Sequence, residues 1–311
     1  MAYTLLDLAA RSGSDPVIGL VESAISFAPE LQFIEALPKV GTSYKVTRRT
    51  ALPAAGFVQH GKGVAASKST YVQETKDMYP MLVNLEIPSL TAEGSGDELG
   101  DFMAQEADGA VKSAFFHLAQ QMYYGTGNDK FGFPGYVSLI NGDTNYEIDA
   151  GGAANASTSA YLVAMHRQGV SLAVGKNGSM SLPPFVEQQV VTGGNATSGF
   201  EKQPAWVSSF KGWFGLTVAN LFSVYRIKHI DATHPLTDAL GNQLLAKIPS
   251  QYRQGLRWFV NEVGSFTLQQ ARSSVGYQPA SSTGNPGYAP APTELAGQPL
   301  VVTSAITNTE A

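Results

Sequence analysis

A mixed α+β fold is what the sequence predicts, and three stretches carry that prediction. Within 97–124, Met103, Ala107, Ala110, Val111, Ala114, Phe115, Leu118 and Met122 recur at three- and four-residue steps, as on one face of a long helix. Within 81–87, Met81, Val83, Leu85 and Ile87 alternate with Leu82, Asn84 and Glu86, as in a strand half-buried on one face. Near the end, apolar β-type runs at 256–260 and 300–306 flank a helical stretch at 261–272.

Taken in order, residues 1–41 read as short helical pieces broken at Pro16, Pro29 and Pro38. One piece starts at Asp15-Pro16 and carries Val17, Leu20, Val21, Ala24 and Ile25 at helical spacing, too short to bury them alone. Residues 44–88 read as a long two-stranded excursion: Tyr44, Val46, Thr47 and Thr50 lead out, a polar tip spans 56–69, and Met81–Ile87 returns. Such a ribbon is marginal in water and needs something to lie against. The helix 97–124 opens with Ser95 and Glu98 at capping-box spacing, places Asp97, Glu98 and Asp101 at the positive end of its dipole, and stops at Gly125. A glycine-punctuated loop over 125–135 then leads to a short apolar strand at 136–140 and a Gly-, Ala- and Asn-rich loop over 141–159. Residues 161–174 mix helix and strand signals. Strands with an aromatic cluster (Trp206, Phe210, Trp213, Phe214) fill 206–230, a helix follows at 237–247, and the proline-rich 275–299 reads as loop.

Composition narrows the function. The chain is 43% hydrophobic but only 14% charged, against about 25% in an ordinary soluble domain. Low charge fits a surface that faces other protein, since charged residues are depleted at interface cores; a neutral Gly-, Ser- and Thr-rich monomer surface fits it as well. The net charge of −5 supplies no global basic field for nucleic acid. With no cysteine there is neither a disulfide nor a thiolate metal site. The start lacks the basic and apolar regions of a signal peptide, and no segment is apolar over membrane-spanning length. The expectation is a soluble protein made in the cytoplasm, with no membrane partner.

No catalytic constellation is found. His60, His117, His166, His229 and His234 include no pair at the four-residue spacing of a helical zinc site. A Gly-x-Ser-x-Gly elbow and a phosphate loop ending in Gly-Lys-Ser/Thr are absent, and Gly125-Thr126-Gly127 follows a helix where a dinucleotide site needs a strand. Glu93, Asp97, Glu98, Asp101, Glu106 and Asp108 cluster at one helix start, where dipole complementarity explains them. Neither a catalytic, a cofactor nor a metal site is therefore expected. One pattern remains: 44–88 carries Lys45, Arg48, Arg49, Lys62, Lys68 and Lys76 against Glu74, Asp77 and Glu86 in a chain that is acidic overall. A basic excursion and an acidic helix start fit pairing across subunits, with Arg48, Arg49, Lys62 and Lys68 facing Asp97, Glu98 and Asp101. Ordinary solubilising charge on an exposed ribbon is the alternative.

The order of elements, together with SYKVTRRTALP (43–53), GVAASKST (63–70), YGTGNDKFGFPG (124–135), SFKGWFGLTVANLFSVYRIKHI (209–230), LRWFVN (256–261) and GQPLVVTSAITNTEA (297–311), resembles the Hong Kong 97-type capsid proteins of tailed bacteriophages. The resemblance is nearest to the branch found in some short-tailed phages and runs over roughly residues 10–311. It implies an N-arm at 1–43, an extended loop at 44–88 lying over the adjacent subunit, a peripheral domain at 89–140 built on the spine helix 97–124, and an axial domain at 141–311 with strands returning to the peripheral domain. It further implies a major capsid protein that self-assembles, as pentamers and hexamers, into an icosahedral shell around double-stranded DNA held without sequence preference. The expected location is the virion, assembled in the host cytoplasm. Many relatives carry a scaffolding domain at the N-terminus; here Met1 leads almost directly into the arm, so a separate scaffolding protein is expected beside a portal. The same fold builds encapsulin-like nanocompartments, and copurifying cargo or nucleic acid separates the two readings.

Overall fold

Why the long helix forms is plain from what it buries. A computed structural model of the chain describes residues 28–94, 99–195, 199–274 and 289–310. In it a 26-residue helix, Leu99–Tyr124, buries Ala107, Ala110, Val111, Ala114, Phe115, Leu118 and Met122 on one face. From Ala107 onward the apolar stripe of the sequence is thus the core-facing stripe, while Met103 is half-buried. The capping box Ser95–Glu98 and the helical piece at 16–25 lie outside the described residues.

In chain order the strands are β1 (Glu35–Pro38), β2 (Ser43–Ala51), β3 (Thr70–Asp77), β4 (Tyr79–Pro88), β5 (Glu147–Asp149), β6 (Thr158–Ala164), β7 (Val170–Val174), β8 (Val186–Asn195), β9 (Gly199–Val218), β10 (Val224–Ile230), β11 (Leu256–Val260), β12 (Glu294–Leu295) and β13 (Gln298–Val302). The helices are α1 (Glu30–Phe33), α2 (Ser89–Gly94), α3 (Leu99–Tyr124), α4 (Tyr136–Ile140), α5 (Gly175–Gly178), α6 (Asp238–Ala246) and α7 (Glu262–Ser274). One sheet runs β1-β7-β9-β4 with β8 paired to β9; a second runs β12-β13-β11-β6-β10-β5; among the described residues β2 and β3 pair only with each other.

Two cores follow from this layout. The first joins α1, the buried face of α3, α4 and β7 to Phe210 and Phe214 of β9; the second gathers Leu162, Tyr225, Ile227 and Trp258 under Leu244 of α6 and Leu268 of α7. Strand β6 stands between them. Tyr161 and Val163 point into the first core, while Ala160, Leu162 and Ala164 point into the second. This is why 161–174 resisted a periodicity reading: every residue of β6 and β7 is buried, and a strand covered on both faces shows no alternation.

Several expectations are corrected. The strand that returns from the excursion is β3, paired with β2 from Ser43↔Asp77 to Ala51↔Thr70, so the ribbon ends at Asp77 instead of Pro88. Strand β4 does alternate as read, but it pairs along its whole length with β9, which takes 79–88 out of the excursion and into the sheet. Residues 136–140 form a helical turn: Tyr136 and Ile140, four apart, are the buried pair, and Asn141 at φ 47° closes it. A five-residue apolar run cannot tell these cases apart by period alone. Residues 35–38, read with the helical pieces, pair parallel with β7 as β1. The loop 141–159 contains β5 and the first residues of β6. The last strand is β13, closed by a tight hairpin to β12 through Ala296 and Gly297, both at positive φ; from Thr303 the chain turns away into the core. The helices expected at 237–247 and 261–272 form as α6 and α7, capped by Thr237 Oγ1 accepting from Leu240 N at 3.2 Å and Asn261 Oδ1 accepting from Gly264 N at 2.7 Å.

The exit from α3 is fixed by backbone contact. A Cβ on Gly125 would lie 2.1 Å from Gly135 N, so only glycine lets the two ends of the 125–135 loop touch. Gln121 holds that loop from inside, donating to Asp129 O at 3.1 Å and Phe133 O at 2.8 Å.

Candidate assembly surfaces

The β2–β3 ribbon is anchored at its root; beyond it, Thr47, Arg49, Thr50 and Leu52 face Tyr146, Phe222 and Tyr252 of the same chain across an open cleft of about 1000 Å³. Tyr44 and Met78 are buried with Ala173, and Val46 and Trp213 pack against them. Tyr44 Oη donates to Leu216 O at 2.9 Å, and Met78 N to Thr42 O at 2.8 Å. A Cβ on Gly215 would meet the Tyr44 ring at 3.0 Å, so the glycine lets the ring cross β9. Past the root, Arg49, Tyr71 and Val72 are exposed, and at the tip Leu52, Phe57, Val58 and Val64 all face solvent. The tip nevertheless has a defined shape: Ser67 Oγ accepts from Ala54 N at 2.8 Å, and Lys62 N donates to Gln59 O at 3.0 Å. The tip read as polar thus also exposes large apolar side chains, and among the described residues β2 and β3 pair with no other strand; a two-stranded ribbon of this kind is marginal as a monomer structure.

The charged residues singled out by sequence divide as follows. Arg49 lies along the ribbon, with Nη2 donating to Tyr71 Oη at 3.1 Å and the guanidinium 5.4 Å from that ring's centre. That hydrogen bond and charge hold the Tyr71 phenol below its ordinary value. Arg48 is a β2 residue in register with Val72. Lys62 and Lys68 are exposed at the tip. Asp101 is exposed on the first turn of α3, while Asp97 and Glu98 lie outside the described residues. Among the described residues no ion pair within the chain joins the ribbon's cations to Asp101.

A second ribbon has no counterpart in the sequence reading. The distal half of β8–β9 pairs Gln189↔Pro204 through Asn195↔Gly199, beyond the reach of β4 and β7. Val191 and Phe200 are exposed on it. Its signal was present: the β-branched run Val190-Val191-Thr192 followed by Gly193-Gly194-Asn195 is a hairpin motif.

Also missed was a buried polar network that ties α3 to the six-stranded sheet. Arg226 donates from Nε to Ser159 Oγ at 2.9 Å, from Nη1 to Glu147 Oε1 at 3.2 Å and from Nη2 to Glu310 Oε2 at 2.6 Å. Glu310 further accepts from Tyr124 Oη at 2.5 Å and from Ser159 Oγ, and Lys228 Nζ lies 3.2 Å from Glu147 Oε2. Two cations thus meet two carboxylates. Burial disfavours the Arg226 charge, but the facing Tyr161, Glu310 and Glu147 outweigh it and hold the group above its ordinary value. Burial and then Glu310 push the Tyr124 phenol up, so it stays a donor.

Little here resembles a reaction centre. A cavity of about 430 Å³ between α3 and β4 is lined by Met81, Val83, His117, Gln121 and Phe133. His117 Nε2 stands 3.5 Å from Asp129 Oδ2, with no nucleophile hydrogen-bonded to the ring among the described residues. Asp149 faces His229 at 3.0 Å and Asp231 faces His234 at 3.2 Å, as separate pairs. Among the described residues no group of three or more His, Cys, Asp or Glu could hold a metal ion, and no helix is long and apolar enough to cross a membrane.

Comparison with known proteins agrees with the architecture. The fold is similar to that of a chain in the near-atomic cryo-EM structure of bacteriophage Epsilon15, at 16% identity and TM-score 0.62, covering 89% of this chain and 86% of that one. It is similar also to a chain of the bacteriophage JBD30 capsid, at 12% identity and TM-score 0.51, covering 91% and 92%. Both likenesses identify the fold as the Hong Kong 97 type. No curated protein matches the chain. The family described as Major capsid protein GP7 matches residues 13–311, nearly the whole sequence. The fold and that match lead to one conclusion: the chain belongs to the Major capsid protein GP7 family and is a shell-forming phage capsid protein.

Proposed function

We propose that copies of this chain close as pentamers and hexamers into an icosahedral shell around double-stranded DNA, with the β2–β3 ribbon of each lying over its neighbour. The observation that carries the reading is the ribbon itself, which exposes Leu52, Phe57, Val58 and Val64 at its tip and, among the described residues, pairs with no other strand. One surface meeting copies of itself around several axes limits growth by closure. Each contact can be weak, because every subunit is held by several neighbours at once.

In this reading residues 1–42 are the arm and 43–77 the extended loop. Helix α3 with the five-stranded sheet forms the peripheral domain, and the six-stranded sheet with α6 and α7 forms the axial domain. Arg48, Arg49, Lys62 and Lys68 of one ribbon face Asp97, Glu98 and Asp101 of the next subunit. A separate scaffolding protein and a portal complete assembly in the host cytoplasm. The packaged DNA is held without sequence preference by a mildly charged inner surface, in keeping with a net charge of −5. The chain works by geometry and carries no catalysis.

Electron microscopy of the sedimentable fraction, after expressing the chain in bacteria with and without its scaffolding partner, tests this. Closed shells or regular tubes are expected in at least one case. Soluble monomers in both would overturn the proposal.

A further inference from the structure

Glu30 opens α1 and is enclosed on every side. Both of its carboxyl oxygens accept from a single hydroxyl, Thr303 Oγ1, at 3.1 and 3.0 Å. Among the described residues no Lys, Arg or His is within ion-pair distance of it. The titratable groups that face it are Tyr123 from α3 and Tyr136 from α4, both kept neutral by burial and then by Glu30 itself. Their hydroxyls are buried without a hydrogen-bond partner. From β11, the Arg257 guanidinium sits 4.2 Å from the ring centre of Phe33, covering the same short helix without pairing to Glu30. The following strand carries Glu35, which is half-buried.

A carboxylate with one side-chain donor, its own backbone N–H and no counter-charge cannot recover its lost hydration. Burial therefore pushes Glu30 up to about 7, only partly opposed by its backbone and Thr303 hydrogen bonds. The position is mechanically exposed: α1 leads through β1, paired with β7, to Lys39 N donating to Val174 O, and the ribbon starts at Ser43.

We propose that Glu30 is a proton-operated latch on the segment that leads into the ribbon, holding residues 28–38 on the two-sheet core while neutral and releasing them when ionised. The inference concerns the single chain and stands or falls independently of shell closure. Its sign follows from linkage. The docked carboxyl titrates near 7 and a released one at its ordinary value of 4.5. Docking is therefore strongest below 4.5, weakens as pH rises from there to about 7, and then levels off.

Hydrogen exchange on the full-length chain, corrected for intrinsic exchange rates, reads this at the amides of Ile34 and Lys39. Protection is expected to fall roughly 50-fold from pH 5 to pH 8 in the wild type, and to be independent of pH in Glu30→Gln. In Thr303→Val, which removes the donor that favours the charged form, the levelling-off moves to higher pH. Equal protection at both pH values in the wild type would overturn the latch. So would an unchanged fall in Glu30→Gln or, should that variant not fold, an unmoved plateau in Thr303→Val.

Discussion

Arg226 Nη2 and Glu310 Oε2 meet at 2.6 Å inside the protein, with both side chains at least nine-tenths buried. Through this pair the C-terminal segment is fixed to β10, and through Tyr124 to the end of α3. The spine helix and the six-stranded sheet are held in one arrangement by charges that can be satisfied only together.

Breaking such a pair leaves an unpaired charge in the interior, which costs more than the pair contributes. Glu310→Ala is expected to destabilise the subunit by about 3–5 kcal/mol. The double variant Arg226→Met with Glu310→Leu, which removes both charges, should lose markedly less. Denaturant unfolding of each separates the cases; equal losses would mean that packing, not charge, dominates the site.

At the ribbon root, Tyr44→Phe removes one buried hydroxyl and its bond to Leu216 O while keeping the ring. The expected loss is about 1 kcal/mol. Exchange should quicken at Lys45 to Thr47 and stay unchanged across α3. A uniform change over the whole chain would show that the root is not a local anchor.

Reversing Arg48 and Arg49 to Glu should impair assembly far more than folding. Arg49 is exposed, and surface substitutions usually change stability by no more than about 0.5 kcal/mol, so a soluble variant with near wild-type melting and little sedimentable shell is expected. Shell yield equal to wild type would remove these residues from the interface.

How much was legible in the sequence depended on whether a segment's structure is decided locally. Helix α3 was legible, and its end at Tyr124 was read correctly, because its stripe is long and faces one core. Strand β4 kept its alternation because one face is open. The error lay in its partner: nothing near Met81 says that it pairs with Gly212 instead of with β2. Strands β6 and β7, buried throughout, gave no period to read. The network was invisible for a similar reason, since Arg226, Glu147, Ser159, Tyr124 and Glu310 are spread over nearly two hundred positions and meet only when both sheets are in place. The basic ribbon and the acidic helix start were legible as compositions. Their pairing across subunits is the proposal that the Arg48 and Arg49 reversal tests.

The central claim, that each ribbon is covered by another copy of the chain, is tested most directly by lysine cross-linking of shells assembled from equal amounts of light and isotopically heavy protein. Cross-links from Lys62 and Lys68 should appear as light–heavy pairs in about half of all cases, as contact between different copies requires. Cross-links found only within light or only within heavy chains would show that each ribbon folds back on its own subunit, and would contradict the account.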